Sequence, residues 1–363
     1  MTTAYLPSEV NQLIVKYTKY SVKLLNSIWS DDDLFYFYKN YVLNTRHLKI
    51  RRSPRFQDHT KFRKLSNVNN IKYIHGGLHS ITFRNIFNRP VVLPENLHTV
   101  TFGYYFNQPV TLPENLHTVT FGREFNQPVV LPENLHTITF GYWFNQSVTL
   151  PENLQSITFG RQFNQPVVLS NSLITITFGC YFDQPVVLPE NLQSIAFGSS
   201  FNQPVVIPES VQSVEFRAAF KQPVVLPKNL HYLFWHSDQA VVLPDNLITI
   251  NFGDDLNQLV VLPNSLRNIT FGYCFDKPVV LPNSLMTVEF GCHFNQPVVL
   301  PDSLHSVTFG WRFCQPVVLP DNLHYVEFGW CFQRSVVLPD SLHTIKYNKD
   351  CLEKVGNKLI LKN

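Results

Sequence analysis

The sequence lacks the features that mark membrane-spanning and secreted proteins. Its 363 residues contain no apolar run of about eighteen residues, so no membrane-spanning helix is expected. Glu9, Lys16 and Lys23 interrupt the first thirty residues, and no signal peptide is visible. We expect a soluble intracellular protein, located in the cytoplasm.

Cysteine is sparse, and its distribution argues against a disulfide scaffold. Small secreted disulfide proteins carry cysteines densely in a short chain. Here six cysteines lie only in the later part of the sequence and no CxxC occurs, which leaves zinc ligation without support. We interpret them as free thiols in a reducing compartment. They are Cys180, Cys274, Cys292, Cys314, Cys331 and Cys351.

Signatures of catalysis are also missing. The chain has no glycine loop that would cradle a phosphate, no nucleophile elbow and no metal ligands at a recognised spacing. Nearly every carboxylate available as an acid or base is a turn residue repeated along the chain. The sequence therefore predicts a protein that is not an enzyme, with no cofactor, no metal and no small-molecule substrate.

Positive and negative charges are unevenly divided along the chain. Residues 1–85 hold 14 basic and 5 acidic side chains, a net charge of +9. The remainder holds 15 basic and 21 acidic side chains, a net charge of −6, so the whole chain has a formal charge of +3. The two parts are therefore expected to be structurally different.

One phrase recurs through most of the sequence, for example as FNQPVVLPENLHTITFG from Phe125 to Gly141. It starts fourteen times at intervals of 19 residues, with one interval of 17. A fixed period near twenty residues predicts a solenoid, in which each coil buries its apolar face on its neighbours. The phrase starts at Phe87, Phe106, Phe125, Phe144, Phe163, Phe182, Phe201, Phe220, Ser237, Leu256, Phe275, Phe294, Phe313 and Phe332.

Each phrase predicts a coil of two short extended segments joined by two turns. Val100 and Phe102 alternate with polar residues, as in a half-buried strand, and residues 110–112 form the second segment. Gly103 is expected to turn the chain by adopting a positive φ, and Asn107 to bond backbone groups at a turn. Phenylalanines at two positions of each coil should stack into two columns, where burial of each side chain contributes about 1.5–3 kcal/mol.

The repeated residues resemble two known repeat families. The pattern Leu-x-x-Val-x-Phe resembles the LxxLxL core of leucine-rich repeats. The whole phrase, which runs FNQPV, then LP, then L..(V/I).F, resembles the FNIP repeat over about residues 87–350. Gln108 and Gln127 replace the isoleucine of the Phe-Asn-Ile-Pro signature. The resemblance implies a mainly β, leucine-rich-repeat-like solenoid with a parallel sheet that binds a protein target. It also implies an origin in social amoebae or in giant viruses of amoebae, and a location in the host cytoplasm if the protein is viral.

The two residues after each repeat glycine vary most, and they are candidates for binding a partner. Tyr, Trp and Arg, which are enriched in binding hot spots, recur at these positions. The alternative is a turn edge without packing constraint, where any residue fits. The candidates are Tyr104, Tyr105, Tyr142, Trp143, Arg161, Tyr181, Trp311, Arg312 and Trp330.

Two other columns suggest functions that the sequence itself disfavours. A TxT array beginning at Thr99 resembles ice-binding β-solenoids, but Glu215, Glu289 and Lys346 interrupt it. A histidine column offers imidazoles as metal ligands, but Gln and Ile also occupy it and no second ligand type accompanies it. A solvated edge is the favoured interpretation of this column. Its members are His79, His98, His117, His136, His231, His305, His324 and His343.

The stretch 211–240 departs most from the phrase, since two residues are missing between Phe220 and Ser237. This deletion is expected to kink the superhelix or to loosen one coil. A groove centred on this stretch and drift without function are both consistent with the sequence.

The N-terminal segment is not repeat-like, and it predicts helices. Ser8 is expected to cap the first helix, and two more should follow before residue 50. The pattern of Leu6, Pro7, Glu9, Val10, Ile14, Val15 and Tyr17 resembles the opening of an F-box. This resemblance implies an adaptor that docks the Skp-type linker of a cullin–RING ubiquitin ligase. The alternative is a helical cap over the first coil.

The remaining segments complete the predicted organisation. Residues 46–64 hold eight lysines or arginines, which suggests either a solvated linker or a nucleic-acid-binding arm. The sequence thus predicts four parts: a helical F-box-like segment or cap at 1–50, a basic linker with a first partial coil at 51–77, the solenoid at 78–350, and a closing cap at 351–363. Its predicted role is a protein-interaction scaffold, and a purely structural or decoy repeat protein is the alternative.

Overall fold

The computed structural model describes residues 47–49, 63–217 and 220–362, and the chain divides into two compact units, residues 1–135 and 136–363. Each unit is a parallel β-solenoid that places one short strand in every coil. The described residues form about fifteen coils, whereas the sequence predicts about fourteen, because a strand at Ser80–Phe83 precedes the first phrase.

In the first unit, five strands pair in parallel in chain order. The pairing aligns Leu65, Ile81, Val100 and Val119, all of which are buried. A 3-10 helix at Ile71–Tyr73 separates the second and third strands. The strands are β1 (His47–Lys49), β2 (Lys64–Val68), β3 (Ser80–Phe83), β4 (Thr99–Thr101) and β5 (Thr118–Thr120).

The N-terminal prediction falls mainly on residues that the structure does not describe. Of residues 1–50, which the sequence predicts as helical, 47–49 form strand β1 and pair in parallel with β2. The predicted helices and the F-box-like residues lie outside the described residues.

In the second unit, parallel pairing continues from β6 to β16 and on to β18. Each three-residue strand from β6 to β16 buries its middle residue and leaves its outer two at least partly exposed, which is the alternation that the phrase predicts, whereas the middle residue of β18 is only partly buried. The repeat strands are β6 (Thr137–Thr139), β7 (Ser156–Thr158), β8 (Thr175–Thr177), β9 (Ser194–Ala196), β10 (Ser213–Phe216), β11 (Tyr232–Trp235), β12 (Thr249–Phe252), β13 (Asn268–Thr270), β14 (Thr287–Glu289), β15 (Ser306–Thr308), β16 (Tyr325–Glu327) and β18 (Thr344–Lys346).

The C-terminal residues form a separate antiparallel sheet. Strands β19 (Leu352–Val355) and β20 (Lys358–Leu361) make a hairpin, and β20 also pairs with β17 (Val336–Val337). Gly356 takes φ 60° in the hairpin turn, where a residue without a side chain is favoured.

The second extended segment of each coil does not pair as a strand, except at β17, among the described residues. Prolines on both sides of segments such as 110–112 remove backbone donors, which disfavours pairing of this second extended segment. The second valine of the segment points into solvent, for example at Val187, which is 88% exposed.

The repeat glycines are required for a reason other than the predicted one. None of those in the described residues has a positive φ. A Cβ atom built on Gly103 would instead overlap the carbonyl oxygen of Arg84 in the preceding coil, and one on Gly291 would overlap that of Gly272. A side chain is excluded at these glycines because the turns of successive coils lie close together, and not because the backbone is left-handed.

The two predicted phenylalanine columns are confirmed. In the first unit, neighbouring rings stack 5.3 Å apart at the strand ends (Phe102 and Phe121) and 6.1 Å apart at the turns (Phe106 and Phe125). Within one coil, Phe102 lies 4.2 Å from Phe106. These rings are at most 3% exposed, so the two columns form the core of each unit.

The asparagine after the turn phenylalanine links successive coils. The Asn145 side-chain oxygen accepts a bond from the Asn164 backbone amide at 2.9 Å and from Gln165 Nε2 at 3.2 Å. The sequence predicts that asparagine bonds backbone at a turn, and the donors prove to lie in the next coil. Asp183 replaces asparagine in the same role, since its carboxylate accepts from Asn202 N at 2.9 Å.

The two-residue deletion leaves the strand register intact. Strand β11 pairs with both neighbours, with Tyr232 opposite Ser213 and Thr249. Trp235, 1% exposed, replaces a strand-end phenylalanine, and Ser237 takes the turn phenylalanine position with its hydroxyl donating to the Phe220 carbonyl at 2.7 Å. The sheet is thus not loosened, because one indole fills space that two phenyl rings occupy in other coils.

Candidate functional site

The two variable positions after each repeat glycine lie at the tip of a tight turn. In the coil of Gly103, the Phe106 amide donates to the Gly103 carbonyl at 3.1 Å, which makes Tyr104 and Tyr105 the central turn residues. Their side chains therefore point away from the core. We call these paired positions the post-glycine ridge.

Backbone hydrogen bonds connect the ridge from one coil to the next. The Glu124 amide donates to the Tyr104 carbonyl at 2.9 Å, and the Cys331 amide donates to the Trp311 carbonyl at 2.9 Å. Side chains on such turns start from a fixed backbone, so less conformational entropy is lost when they bind a partner.

In the first unit, the ridge carries an aromatic pair and a cation. The rings of Tyr104 and Tyr105 meet edge to face at 4.6 Å, and Tyr105 is 53% exposed. The Arg123 guanidinium lies 5.4 Å from the centre of the Tyr104 ring, in cation–π contact. The structure thus brings together Tyr104 and Tyr105, both predicted, with Arg123.

In the second unit, the predicted ridge residues form two groups. Arg161 lies 5.5 Å from the ring centres of both Tyr142 and Tyr181, and Trp143 meets Tyr142 edge to face at 5.0 Å. Trp311 and Trp330 form the second group.

Trp311 and Trp330 stack with their ring centres 5.6 Å apart and their planes 13° from parallel. Both indoles remain about half exposed. Arg312 is exposed at the outer position of the same turn as Trp311.

Sequence reasoning missed a groove beside the ridge in the second unit. The groove has a volume of about 630 Å³ and extends along the coils of β11 to β16. Tyr273 and Cys292 line it at ridge positions, Glu289 lines it from a strand, and Gly272 forms part of its floor. Glycines recur every 19 residues from Gly253 to Gly329. Tyr273 and Cys292 directly follow two of these glycines, Gly272 and Gly291, and this spacing was the signal that could have assigned them to the ridge.

Among the titratable groups near these surfaces, Cys180 and Glu327 have lowered pKa values. A hydrogen bond from Ser199 lowers the pKa of the Cys180 thiol, and Arg161 lowers it further. The Tyr325 hydroxyl, followed by Lys346, lowers the pKa of the Glu327 carboxyl. Both groups are thereby biased towards their charged forms.

The histidine column is stacked but does not form a chelating site. His79, His98 and His117 stack at 4.9 and 5.1 Å, and Nδ1 of His98 lies 2.8 Å from the Asn96 carbonyl oxygen. Two metal–nitrogen bonds span only about 4 Å, less than the separation of these stacked rings. Within the described parts of the chain, no group of three or more His, Cys, Asp or Glu side chains is arranged to hold a metal.

Three other features considered from the sequence are the threonine array, the cysteines and membrane-spanning helices. The threonine array is present in strands β4 to β6, and Glu289 and Lys346 interrupt the same face in β14 and β18. The six cysteines are all free. In the ranges that the structure covers, no helix is long and apolar enough to cross a membrane.

The fold and the exposed ridge define a leucine-rich-repeat-like solenoid. The model of the FNIP repeat matches residues 87–123, 109–143, 144–181, 182–218, 239–274, 259–293 and 294–331. The chain therefore belongs to the FNIP repeat family. No curated protein sequence gives a significant match.

Solved structures provide similar folds. CroV588, described as a novel circular LRR protein, is 30% identical with a TM-score of 0.54, and the alignment covers 82% of this chain and 61% of that one. This chain thus spans 61% of the length of that relative.

Two further solved structures are more distant. YopM from Yersinia enterocolitica WA-314 is 14% identical, with a TM-score of 0.35 and coverage of 88% of this chain and 100% of that one. A leucine-rich repeat protein from Bacteroides ovatus ATCC 8483 is 16% identical, with a TM-score of 0.28 and coverage of 85% and 93%.

Proposed function

We propose that the protein is a protein–protein interaction scaffold that binds its target through the post-glycine ridge. The observation that carries this proposal is the pair Trp311 and Trp330, which stack in contact and yet stay about half exposed. Large aromatic side chains on a fixed backbone supply contact area at low entropic cost, and they are enriched in binding hot spots. A turn edge without a binding role has no need of these groups.

Affinity capture with a matched pair of variants tests this proposal. In a ridge variant, Tyr142, Trp143, Trp311 and Trp330 are all replaced by serine. In the control variant, four exposed valines from the unpaired segments are replaced by serine: Val187, Val206, Val280 and Val299. All eight side chains are at least partly exposed, so both variants should retain the melting temperature of the original protein.

We expect full-length protein and the valine variant to capture the same proteins from a cell lysate, and the ridge variant to lose them. Quantitative mass spectrometry of the captured proteins gives the comparison. Capture by the ridge variant at the original level would contradict the proposal and favour a structural or decoy repeat protein.

We further propose that the scaffold is an F-box-type substrate adaptor of a cullin–RING ubiquitin ligase. The support is the resemblance of residues 6–17 to an F-box opening, and this segment lies outside the described residues. In this role the N-terminal segment docks a Skp-type linker and the ridge holds the target. The six free cysteines are consistent with the intracellular location that such a role requires.

Capture of the linker distinguishes an F-box from a cap. The protein is compared with an Ile14→Asp, Tyr17→Asp double variant and a 1–60 deletion, with amoeba lysate as the source of linker and cullin. The adaptor proposal predicts that only the full-length protein captures both. If a folded full-length protein captures neither, residues 1–60 are a cap, and salt-sensitive binding to nucleic acid through 46–64 becomes the competing role to measure.

A further inference from the structure

The groove beside the ridge in the second unit has two walls of different chemistry. Its lining includes the repeat glycines from Gly253 to Gly329, and the His236 ring lies against Gly253. Glu289 and Glu327 stand on one wall at the last position of their strands, and the aromatic rings of Tyr273, Trp311 and Trp330 stand on the other. Asp254 adds a third carboxylate on the aromatic side, and His236 lies at the beginning of the groove.

The chain's own cations show what this combination of groups binds. At one end, Lys346 Nζ lies 3.2 Å from a Glu327 carboxylate oxygen and 5.5 Å from the centre of the Tyr325 ring. Lys346, on β18, is therefore held by a carboxylate and an aromatic ring that both belong to the neighbouring strand β16.

The same arrangement occurs beyond the other end of the groove. Arg217 pairs with Glu215 at 3.1 Å and lies 5.6 Å from the centre of the Phe234 ring. Between these two cations, Glu289 is exposed and forms no ion pair with the described residues. A carboxylate and aromatic faces thus stand in the middle of the groove without a bound cation of their own.

The coil spacing sets the repeat of a matching ligand. Glu289 and Glu327 are two coils apart, which corresponds to about 9.6 Å at about 4.8 Å per parallel strand. Polyproline II chains repeat every three residues, or about 9.3 Å, whereas same-side residues of a β-strand recur at about 6.6 Å. Aromatic-lined grooves are also the usual receptors of polyproline II segments.

We infer that this groove binds a basic, proline-rich segment of a partner protein in the polyproline II conformation, with a cation at every third residue. One cation lies between Glu289 and the indoles, the next displaces Lys346 from Glu327, and the prolines contact the aromatic wall. This inference rests on the proposed scaffold function, and it names the chemistry of one partner segment.

Fluorescence anisotropy with defined peptides tests the inference on the full-length protein. The probe is a labelled peptide of four Arg-Pro-Pro repeats. A peptide of the same composition with its four arginines adjacent tests the spacing, and a peptide of four Glu-Pro-Pro repeats tests the sign of the charge. Groove variants are Glu289→Lys and Trp311→Ala, and their matched controls outside the groove and the ridge are Asp302→Lys and Leu259→Ala.

We expect saturable binding of the Arg-Pro-Pro probe that weakens by about fivefold or more in each groove variant and by less than about twofold in each control. The adjacent-arginine peptide should bind at least about threefold more weakly, and the acidic peptide should not bind. All the substituted side chains are at least partly exposed, and circular dichroism checks that each variant stays folded.

Three results would overturn the inference: no saturable binding of the probe, equal binding of the two arginine peptides, or equal loss of binding in groove and control variants. If the Arg-Pro-Pro probe does not bind while capture of proteins still depends on the ridge, the groove inference is wrong and the proposed scaffold function is retained. If ridge-dependent capture fails as well, both are wrong.

Discussion

At the scale of the residue, the repeat glycines show both the reach and the limit of sequence reasoning. Their regular position after each strand identifies a turn, and a turn is present at Gly103 and its equivalents. The prediction of a positive φ is wrong, since the glycines permit two stacked backbones to approach closely. The sequence of one coil does not reveal a clash with the preceding coil.

Replacement of Gly291 by alanine should therefore destabilise the second unit. The new Cβ overlaps the Gly272 carbonyl, which is backbone and cannot rotate away. We expect a loss of about 1–3 kcal/mol in the free energy of unfolding, the usual cost of overpacking. Gly76→Ala is the control, because nothing lies within 4 Å of the position that its new Cβ would take. Denaturant unfolding of both variants gives the comparison, and equal stability would contradict this account.

The reactivity of Cys180 should depend on Ser199. The hydroxyl lies 3.5 Å from the sulfur and lowers the pKa of the thiol, so the thiolate forms at a lower pH than it otherwise would. Ser199→Ala should raise this pKa, shift the pH profile of Cys180 alkylation upward and slow the reaction near neutral pH. Mass spectrometry of the labelled peptide measures the rate, with Ser200→Ala as control. An unchanged profile would show that the hydroxyl does not act on the thiol.

At the scale of the element, the coil containing β11 shows how the solenoid accommodates a deletion. The two missing residues are those that would form the ridge, because His236 follows Trp235 directly and Ser237 takes the next core position. The Trp235 ring fills the vacated space, 5.5 Å from Phe216 and 6.0 Å from Phe220, and its Nε1 donates to the Gln239 carbonyl at 3.1 Å. The sequence located this irregularity, but only packing shows that the ridge, and not the sheet, is interrupted.

Trp235→Phe should thus be costly although phenylalanine is the usual residue at this position. The smaller ring leaves a void and removes the donor to Gln239, for an expected loss of about 2–4 kcal/mol in the free energy of unfolding. Trp143→Phe, at an exposed ridge position, should cost less than about 0.5 kcal/mol. Chemical denaturation measures both. Equal stability of the Trp235→Phe and Trp143→Phe variants would contradict the space-filling role of Trp235.

At the scale of the whole molecule, periodicity made the fold predictable, whereas it did not reveal the groove proposed to bind a partner. A period of 19 residues and two phenylalanine positions were enough to predict parallel coils and their aromatic columns. The groove was not predictable, because Glu289, Tyr273 and Trp311 meet only through the register of successive coils. Their local sequences each look like an ordinary variation of the phrase.

We propose that the repeated positions hold the solenoid together and that the variable ridge binds the partner. Site-specific photo-crosslinking tests it most directly, with the photoreactive residue benzoylphenylalanine placed at Trp143, Trp311 or Val280 in separate proteins. The Val280 side chain is 87% exposed in an unpaired segment and serves as the control position. The account predicts crosslinks to one recurring set of partner proteins from the two ridge positions and none of these from Val280. Crosslinks to that set from Val280 alone would show that the partner binds a different face and would contradict the claim.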